Sequence, residues 1–177
     1  NWNEVEKVPT RGKIASAALN HCLYWARPSG PWTLVDCAQQ DESEEDKFLG
    51  RTLTYLRVLD GQHTIEMMGS RFWDGQMIYG CMGAKNGDDT KSNINHCTPD
   101  RYYDDNKWTV FAVAPNGGLD TSNNIPLNDI LQSHDYVFRN VHNNKCLYVD
   151  VAKANETIAA NRDPLPEWMS DCTDWRG

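Results

Sequence analysis

Aromatic side chains stand beside acidic and amide residues in two stretches of the chain, a combination that suits carbohydrate binding. A sugar site needs an aromatic face against the C–H side of the ring and planar acceptors and donors for the hydroxyls. Towards the N-terminus this set is Tyr24, Trp25, Trp32 and Asp36. Towards the C-terminus it is Tyr148, Asp150, Asn161 and Trp168, and Trp73 before Asp74-Gly75 is a third candidate.

The position of each tryptophan decides whether it can contact a ligand. Trp25 and Trp32 flank a turn that contains Pro28-Ser29-Gly30-Pro31, and because Trp32 follows it directly we expect Trp32 to be the most exposed. The alternative is that the tryptophans are core residues, because tryptophan is highly buried on average.

The patterns of common enzyme classes are missing. The chain contains no Gly-x-Ser-x-Gly, His-Glu-x-x-His or P-loop motif. The acids of Glu44-Glu45-Asp46 form a charge run typical of a solvated loop. The five histidines are scattered, and paired cysteines would leave no thiol nucleophile. We therefore predict a protein that is not an enzyme and has no metal or cofactor.

Charge and hydropathy limit the partners. The formal net charge is −8, whereas phosphate binding needs a basic face, so a nucleic-acid partner is not expected. No apolar run reaches the roughly 18–20 residues of a membrane-spanning helix.

Six cysteines suggest a disulfide framework, because their spacing does not match a zinc site. Disulfides predict a secreted, extracellular protein, although six cysteines allow about 15 pairings. The sequon Asn155-Glu156-Thr157 predicts glycosylation at Asn155. Because the chain begins at Asn1 and shows no signal peptide, we expect a processed mature chain.

The elements that would position these residues are short strands. In the stretch 136–150, YVFRNVHNNKCLYVD, strands over 136–141 and 146–151 flank a polar turn with Asn143-Asn144. A similar hairpin is predicted from 13–18 and 22–25. No long segment keeps a helical period, and turn signals recur about every 8–12 residues, which predicts an all-β sandwich or barrel.

A threefold repeat organises these strands. Each set has a leading strand (Ile14, Ile65, Val137), a second strand and a strand that ends in cysteine (Cys37, Cys81, Cys172). The units cover about 10–60, 61–115 and 134–177, and residues 1–8 would supply the last strand of the third. Three four-stranded units that close on themselves describe a single-domain β-trefoil stapled by disulfides.

Arg139-Asn140 followed by Lys145-Cys146-Leu147 resembles the pattern of ricin B-like β-trefoil lectins. The resemblance implies bridges Cys22–Cys37 and Cys146–Cys172, which leaves Cys81 for Cys97. It also implies a binding protein for glycans. The closing Gln-x-Trp signature is absent, and Tyr24 and Tyr148 stand where the family has its sugar-binding aspartate. The resemblance thus does not predict a standard galactose site.

Two functions follow as hypotheses. The first is a secreted lectin-like module that binds a glycan, as part of a toxin or effector. The second is a secreted trefoil protease inhibitor, whose partner would be an extracellular protease. An inhibitor needs a loop that is exposed and rigid, and Arg27–Pro31 or Asp163–Pro166 would serve.

Overall fold

The computed structural model is mostly β-sheet with few helices. It describes residues 10–12, 14–25, 32–38, 54–58, 64–73, 76–84, 93–96, 106–114, 118–120 and 135–174. The all-β prediction is therefore confirmed for these residues.

Twelve strands, β1 to β12 in chain order, and one α-helix, α1, are found in the described ranges. The strands are Thr10–Gly12, His21–Trp25, Trp32–Asp36, Thr54–Val58, Thr64–Trp73, Gln76–Gly83, Asn93–His96, Trp108–Val113, Leu119–Asp120, Tyr136–Asn140, Cys146–Tyr148 and Glu167–Met169. Helix α1 covers Val151–Ala159, and a short 3-10 helix covers Cys172–Asp174.

Several strands that are neighbours in the main sheet are not consecutive in the chain. One hydrogen-bonded path runs β1-β4-β5-β8-β10-β11-β12, and every pair in it is antiparallel. Strands β6 and β7 extend from β5, while β2 and β3 form a separate hairpin. Pairs that join distant parts of the chain therefore alternate with local hairpins.

The hairpin predicted over 136–150 is present, with strands slightly shorter than expected. Its first strand pairs with β8, where Val137 lies opposite Phe111 and Phe138 opposite Val110. Such aromatic and β-branched cross-strand pairs stabilise a sheet. In the turn, Asn144 has a φ of 57°, which asparagine tolerates better than most residues.

The turn is closed by the side chain of Asn140, which is fully buried. Its Oδ1 accepts a hydrogen bond from the backbone N–H of His142 at 2.9 Å. The backbone N–H of Asn144 donates to the carbonyl of Asn140 at 3.0 Å. The polar residues of this stretch thus hold the turn that the sequence predicted.

Two of the disulfides implied by the family resemblance are confirmed. Cys22 is bonded to Cys37 and Cys146 to Cys172. Cys81 is also disulfide-bonded, and its expected partner Cys97 lies outside the described residues. The first bridge staples the β2/β3 hairpin, and the second ties β11 to the segment after β12.

The core collects buried side chains from β2, β3, β5, β6 and β8. Its buried members are Leu23, Trp25, Trp32, Leu34, Ile65, Met67, Met82, Trp108 and Val110. Trp108 is completely buried, and its indole N–H donates to the carbonyl of Met82 at 2.9 Å. Three tryptophans therefore serve as packing residues.

Two local predictions need correction. Over the described residues 14–18, the expected strand is only an isolated bridge between Ala15 and Cys22. The strand expected to reach Val151 ends at Tyr148 and is followed by helix α1. The helix forms because Asp150 accepts a hydrogen bond from the N–H of Lys153, as an N-cap residue does.

Some predicted features lie outside the described residues. They are the closing strand at 1–8, the acidic loop at 39–46, the turn at Asp74-Gly75, and the loop Arg27–Pro31.

Candidate functional site

The aromatic pair predicted for the first sugar site is buried in the core. Trp25 lies directly opposite Trp32 on β2 and β3, and the two side chains are 2% and 1% exposed. The expectation that Trp32 is the most exposed tryptophan is therefore wrong. The Pro-rich turn before Trp32 suggested exposure, but the β2/β3 hairpin packs both indole rings against β5.

Gly69 on β5 allows this close approach. A Cβ atom at Gly69 would lie 3.1 Å from Cβ of Trp25 and 3.1 Å from Cη2 of Trp32. Both distances are shorter than ordinary carbon–carbon contacts of about 3.5–4.0 Å. A glycine at this position lets the two indole rings pack against the strand.

The polar members of the first set do not face the same way. The cross-strand register places Tyr24 opposite Thr33. Asp36 is four residues after Trp32 on β3, so it lies on the face of the hairpin that carries Trp25 and Trp32. Because successive side chains alternate between the faces of a strand, Tyr24 and Asp36 lie on opposite faces of the hairpin. Asp36 also accepts a hydrogen bond from the N–H of Ala38 at 2.8 Å, which closes the following turn.

Trp73, the third candidate, is the last residue of β5. It lies opposite Gln76, the first residue of β6. Residues 74 and 75, which separate these two strands in the sequence, lie outside the described residues.

The second set divides between two faces of the β11/β12 pair. Trp168 lies opposite Leu147, whereas Tyr148 lies opposite Glu167. Leu147 and Trp168 pack against the core, and Trp168 stacks on Trp108 with ring centroids 5.3 Å apart and an interplanar angle of 7°. Trp168 therefore does not share a face with Tyr148.

Four polar side chains converge on the other face of β11 and β12, beside α1. We call them the outer cluster: Tyr148, Asp150, Lys153 and Glu167. The ammonium of Lys153 donates to Oε1 of Glu167 at 2.5 Å, and the carboxylate of Glu167 lies near enough to the phenol of Tyr148 to raise its pKa. Oδ1 of Asp150 accepts from the backbone N–H of Lys153 at 3.1 Å, so one carboxylate positions the helix and the other binds its lysine.

The electrostatics of the outer cluster favour a protonated phenol. Partial burial raises the pKa of Tyr148, and the nearby carboxylates of Glu167 and Asp150 raise it further. The hydrogen bond with Glu167 is the main reason that the pKa of Lys153 is also raised. At neutral pH the cluster therefore offers a neutral phenol, one ammonium and two carboxyl groups.

Lys153 and Glu167 were not among the residues predicted from the sequence. They are 14 positions apart and meet only because α1 lies beside β12. A helical signal was present, since Val151, Ala154 and Ile158 follow a spacing of three and four residues after a capping aspartate. This signal could have placed Lys153 on a helix, but it does not identify its partner.

Asn161 has a structural role at the end of α1. It adopts a φ of 59°, its N–H donates to the carbonyl of Ile158, and the next residue, Arg162, donates to Thr157. This is the Schellman pattern, in which asparagine replaces the usual glycine. Asn161 is exposed and takes no part in the hydrogen bonds of the outer cluster.

Asn155, the predicted glycosylation site, is exposed on α1. Sequons are expected in surface loops, whereas here the residues of the sequon are helical. The hydroxyl of Thr157 donates to the carbonyl of Lys153 at 2.9 Å.

The segment 163–166 forms an anchored projection beside the first hairpin. Pro164 and Pro166 are buried, and Leu165 between them is 42% exposed. The carbonyl of Pro164 accepts a hydrogen bond from the N–H of Leu34 at 2.9 Å. The segment 163–166, one of the two loops predicted for an inhibitor, is therefore exposed at Leu165 and held by a buried proline on each side of it.

The described ranges contain neither a candidate metal site nor a candidate membrane-spanning helix. No group of three or more His, Cys, Asp or Glu residues there is placed to hold a metal ion. None of the helices there has the length and apolar character that a membrane-crossing helix needs.

Neither a protein-family model, nor a curated protein, nor a solved structure matches this chain.

Proposed function

We propose that the protein is a secreted, non-enzymatic binding protein with a β-trefoil fold, and that it recognises carbohydrate through the outer cluster. The observation that carries the functional part is the hydrogen bond between Lys153 and Glu167 beside Tyr148, on an exterior face of the sheet.

The order of strand pairing supports the trefoil part. In a trefoil, the first and fourth strands of each unit form a barrel, and the second and third strands of each unit form hairpins. The observed path β1-β4-β5-β8-β10 follows that barrel order through two units and into the third. The strand that would close the barrel is the one predicted at residues 1–8.

The chemistry of the outer cluster supports a sugar ligand. Sugar hydroxyls are recognised by planar carboxylates and by N–H or O–H donors, and the cluster contains both. The half-buried ring of Tyr148 supplies an aromatic group beside them. The cluster also lies on strands and on a capped helix, which position side chains more firmly than loops do.

The disulfides support a location outside the cell. Disulfides form and persist in oxidising compartments, and all described cysteines are bonded. We therefore place the protein outside the cell.

Glu167→Gln is expected to weaken glycan binding by roughly tenfold or more, because hydrogen bonds to a charged group are worth about 1.5–3 kcal/mol. The experiment is a glycan array, followed by calorimetric titration of the best ligand with the wild type and the variant.

Glu156→Gln is the matched control for this test. Glu156 lies exposed on α1 and its side chain takes no part in the outer cluster, so the same loss of charge should leave affinity within about twofold. Absence of binding to every glycan by the wild type, or equal loss in the two variants, would reject the carbohydrate proposal.

A second candidate function is protein binding through the segment 163–166, as in a protease inhibitor. The favourable observation is that Leu165 projects between two buried prolines, which reduces the entropy lost when the loop is bound. The residue before a proline is also held in extended conformations, the conformation in which proteases bind peptides.

Under this second hypothesis, Leu165→Asp should weaken protease inhibition by roughly 30-fold or more. The variant loses about 2 kcal/mol of binding free energy that came from burial of the leucine side chain. It also places a charge in the apolar pocket of the protease that would hold this side chain. The measurement is inhibition of a protease panel, with Val141→Asp as control because Val141 is also exposed, at 37%. No inhibition by the wild type, or an equal effect of both substitutions, excludes this function.

A further inference from the structure

The outer cluster has an internal charge balance that points to one class of sugar, and this inference rests on the proposed carbohydrate function. Its two carboxyl groups, on Asp150 and Glu167, face a single ammonium, on Lys153. The whole chain also carries a net charge of −8. A sulfated or uronic-acid ligand would meet this surface with like charge, which lowers affinity and association rate.

Glu167 and Lys153 differ strongly in exposure. The side chain of Glu167 is 24% exposed, whereas that of Lys153 is 66% exposed. A carboxylate that is largely removed from water needs a cationic or hydrogen-bonding partner. An exposed lysine on a flexible stem, in contrast, can leave its partner and be solvated at small cost.

We infer that the outer cluster selects sugars that carry a free amine, and that the ammonium of Lys153 occupies the place of that amine when no ligand is bound. The ligand class is an amino sugar with a protonated, unacetylated amine. Its ammonium would donate to Glu167 in place of Lys153, and its hydroxyls would lie within reach of Tyr148.

Two further observations agree with this exchange. The backbone N–H of Lys153, not its side chain, bonds to the capping carboxylate of Asp150, so release of the ammonium leaves the start of α1 intact. Burial is the main cause that raises the pKa of Tyr148, and the carboxylates of Glu167 and Asp150, which outnumber the one ammonium of the cluster, raise it further.

The test uses calorimetric titration at mildly acidic pH with three probes. They are a trimer of β-1,4-linked glucosamine, its fully N-acetylated form, and a trimer of galacturonic acid. The wild-type protein should bind the glucosamine trimer about tenfold tighter than the acetylated form, and the acidic trimer most weakly.

The variant Lys153→Met tests whether the ammonium of the ligand takes the place of the Lys153 ammonium, or is only attracted by the negative charge of the protein. We expect the variant to bind the glucosamine trimer about 2- to 5-fold tighter than the wild type does, which is the fold-change that corresponds to a surface ion pair. Its affinity for the acetylated trimer, which has no ammonium to replace that of Lys153, should not rise. Arg162→Met removes the same charge from an exposed residue that is not part of the cluster, and should leave both affinities unchanged.

The outcomes distinguish this inference from the proposed function. Equal binding of the free and acetylated trimers, weaker binding by Lys153→Met, or equal gains in the two variants would overturn the amine inference. Binding to other glycans without binding to the glucosamine trimer also overturns it, but leaves the carbohydrate proposal standing. If the wild type binds no carbohydrate at all, both fall.

Discussion

Trp108→Ala is expected to lower the free energy of unfolding by about 3–5 kcal/mol, the usual cost of removing a large buried aromatic side chain. Trp108 is 0% exposed and packs in the core beside Trp168. Its removal takes away the stacking partner of Trp168 and leaves the buried carbonyl of Met82 without the indole donor. A domain has a stability of only about 5–15 kcal/mol, so the variant should be close to unfolding.

Urea denaturation followed by circular dichroism measures this effect. Trp108→Phe is the matched control, because it keeps a ring in the core and removes the indole N–H. Its expected loss is about 1–3 kcal/mol, chiefly from the unpaired carbonyl. A loss below about 1 kcal/mol for Trp108→Ala would contradict the packing role of this tryptophan.

The second large effect is expected from removal of the bridge between Cys146 and Cys172. The double variant Cys146→Ser/Cys172→Ser should lose about 2–5 kcal/mol, because the bridge constrains a long loop of the unfolded chain. The bridge closes a sequence separation of 26 residues, and this segment contains the whole outer cluster. Glycan binding should therefore weaken together with stability.

Cys22→Ser/Cys37→Ser is the control for this experiment. Its bridge closes a separation of 15 residues on the β2/β3 hairpin, which carries no member of the outer cluster. It should lose about 3 kcal/mol by the same entropic argument and keep its glycan affinity at temperatures where it stays folded. Loss of binding in both variants, with the fold intact by circular dichroism, would contradict the location of the site.

Local chemistry made part of this structure predictable. The turn after Asn140 and the strands around it depend on asparagine side chains and on cross-strand pairs that are visible in the sequence. The bridges Cys22–Cys37 and Cys146–Cys172 followed from resemblance to a family, since spacing alone left the pairing open.

The tryptophans show why burial was not predictable in the same way. Trp32 follows a Pro-rich turn, which suggested exposure, but its ring lies against Trp25 and above Gly69 of a distant strand. Only the three-dimensional approach of β2, β3 and β5 decides this. Trp25 and Trp32, which the sequence suggested as ligand contacts, are core residues.

The candidate site shows the same limit. Tyr148 and Asp150 were predicted, whereas Lys153 and Glu167 were not. The pairing of these two residues depends on helix α1, which begins where a strand had been expected to continue. Trp168 was grouped with Tyr148 by proximity along the chain, and strand alternation puts the two on opposite faces.

The most direct test of the central claim is a backbone amide chemical-shift titration of the isotope-labelled wild-type protein with the best ligand from the glycan array. We predict that the largest ligand-dependent shifts fall on Tyr148, Lys153 and Glu167, and that Leu165 and the β2/β3 hairpin remain unaffected. Shifts confined to Leu165 and its neighbours, or to any surface that excludes the outer cluster, would contradict the proposed site.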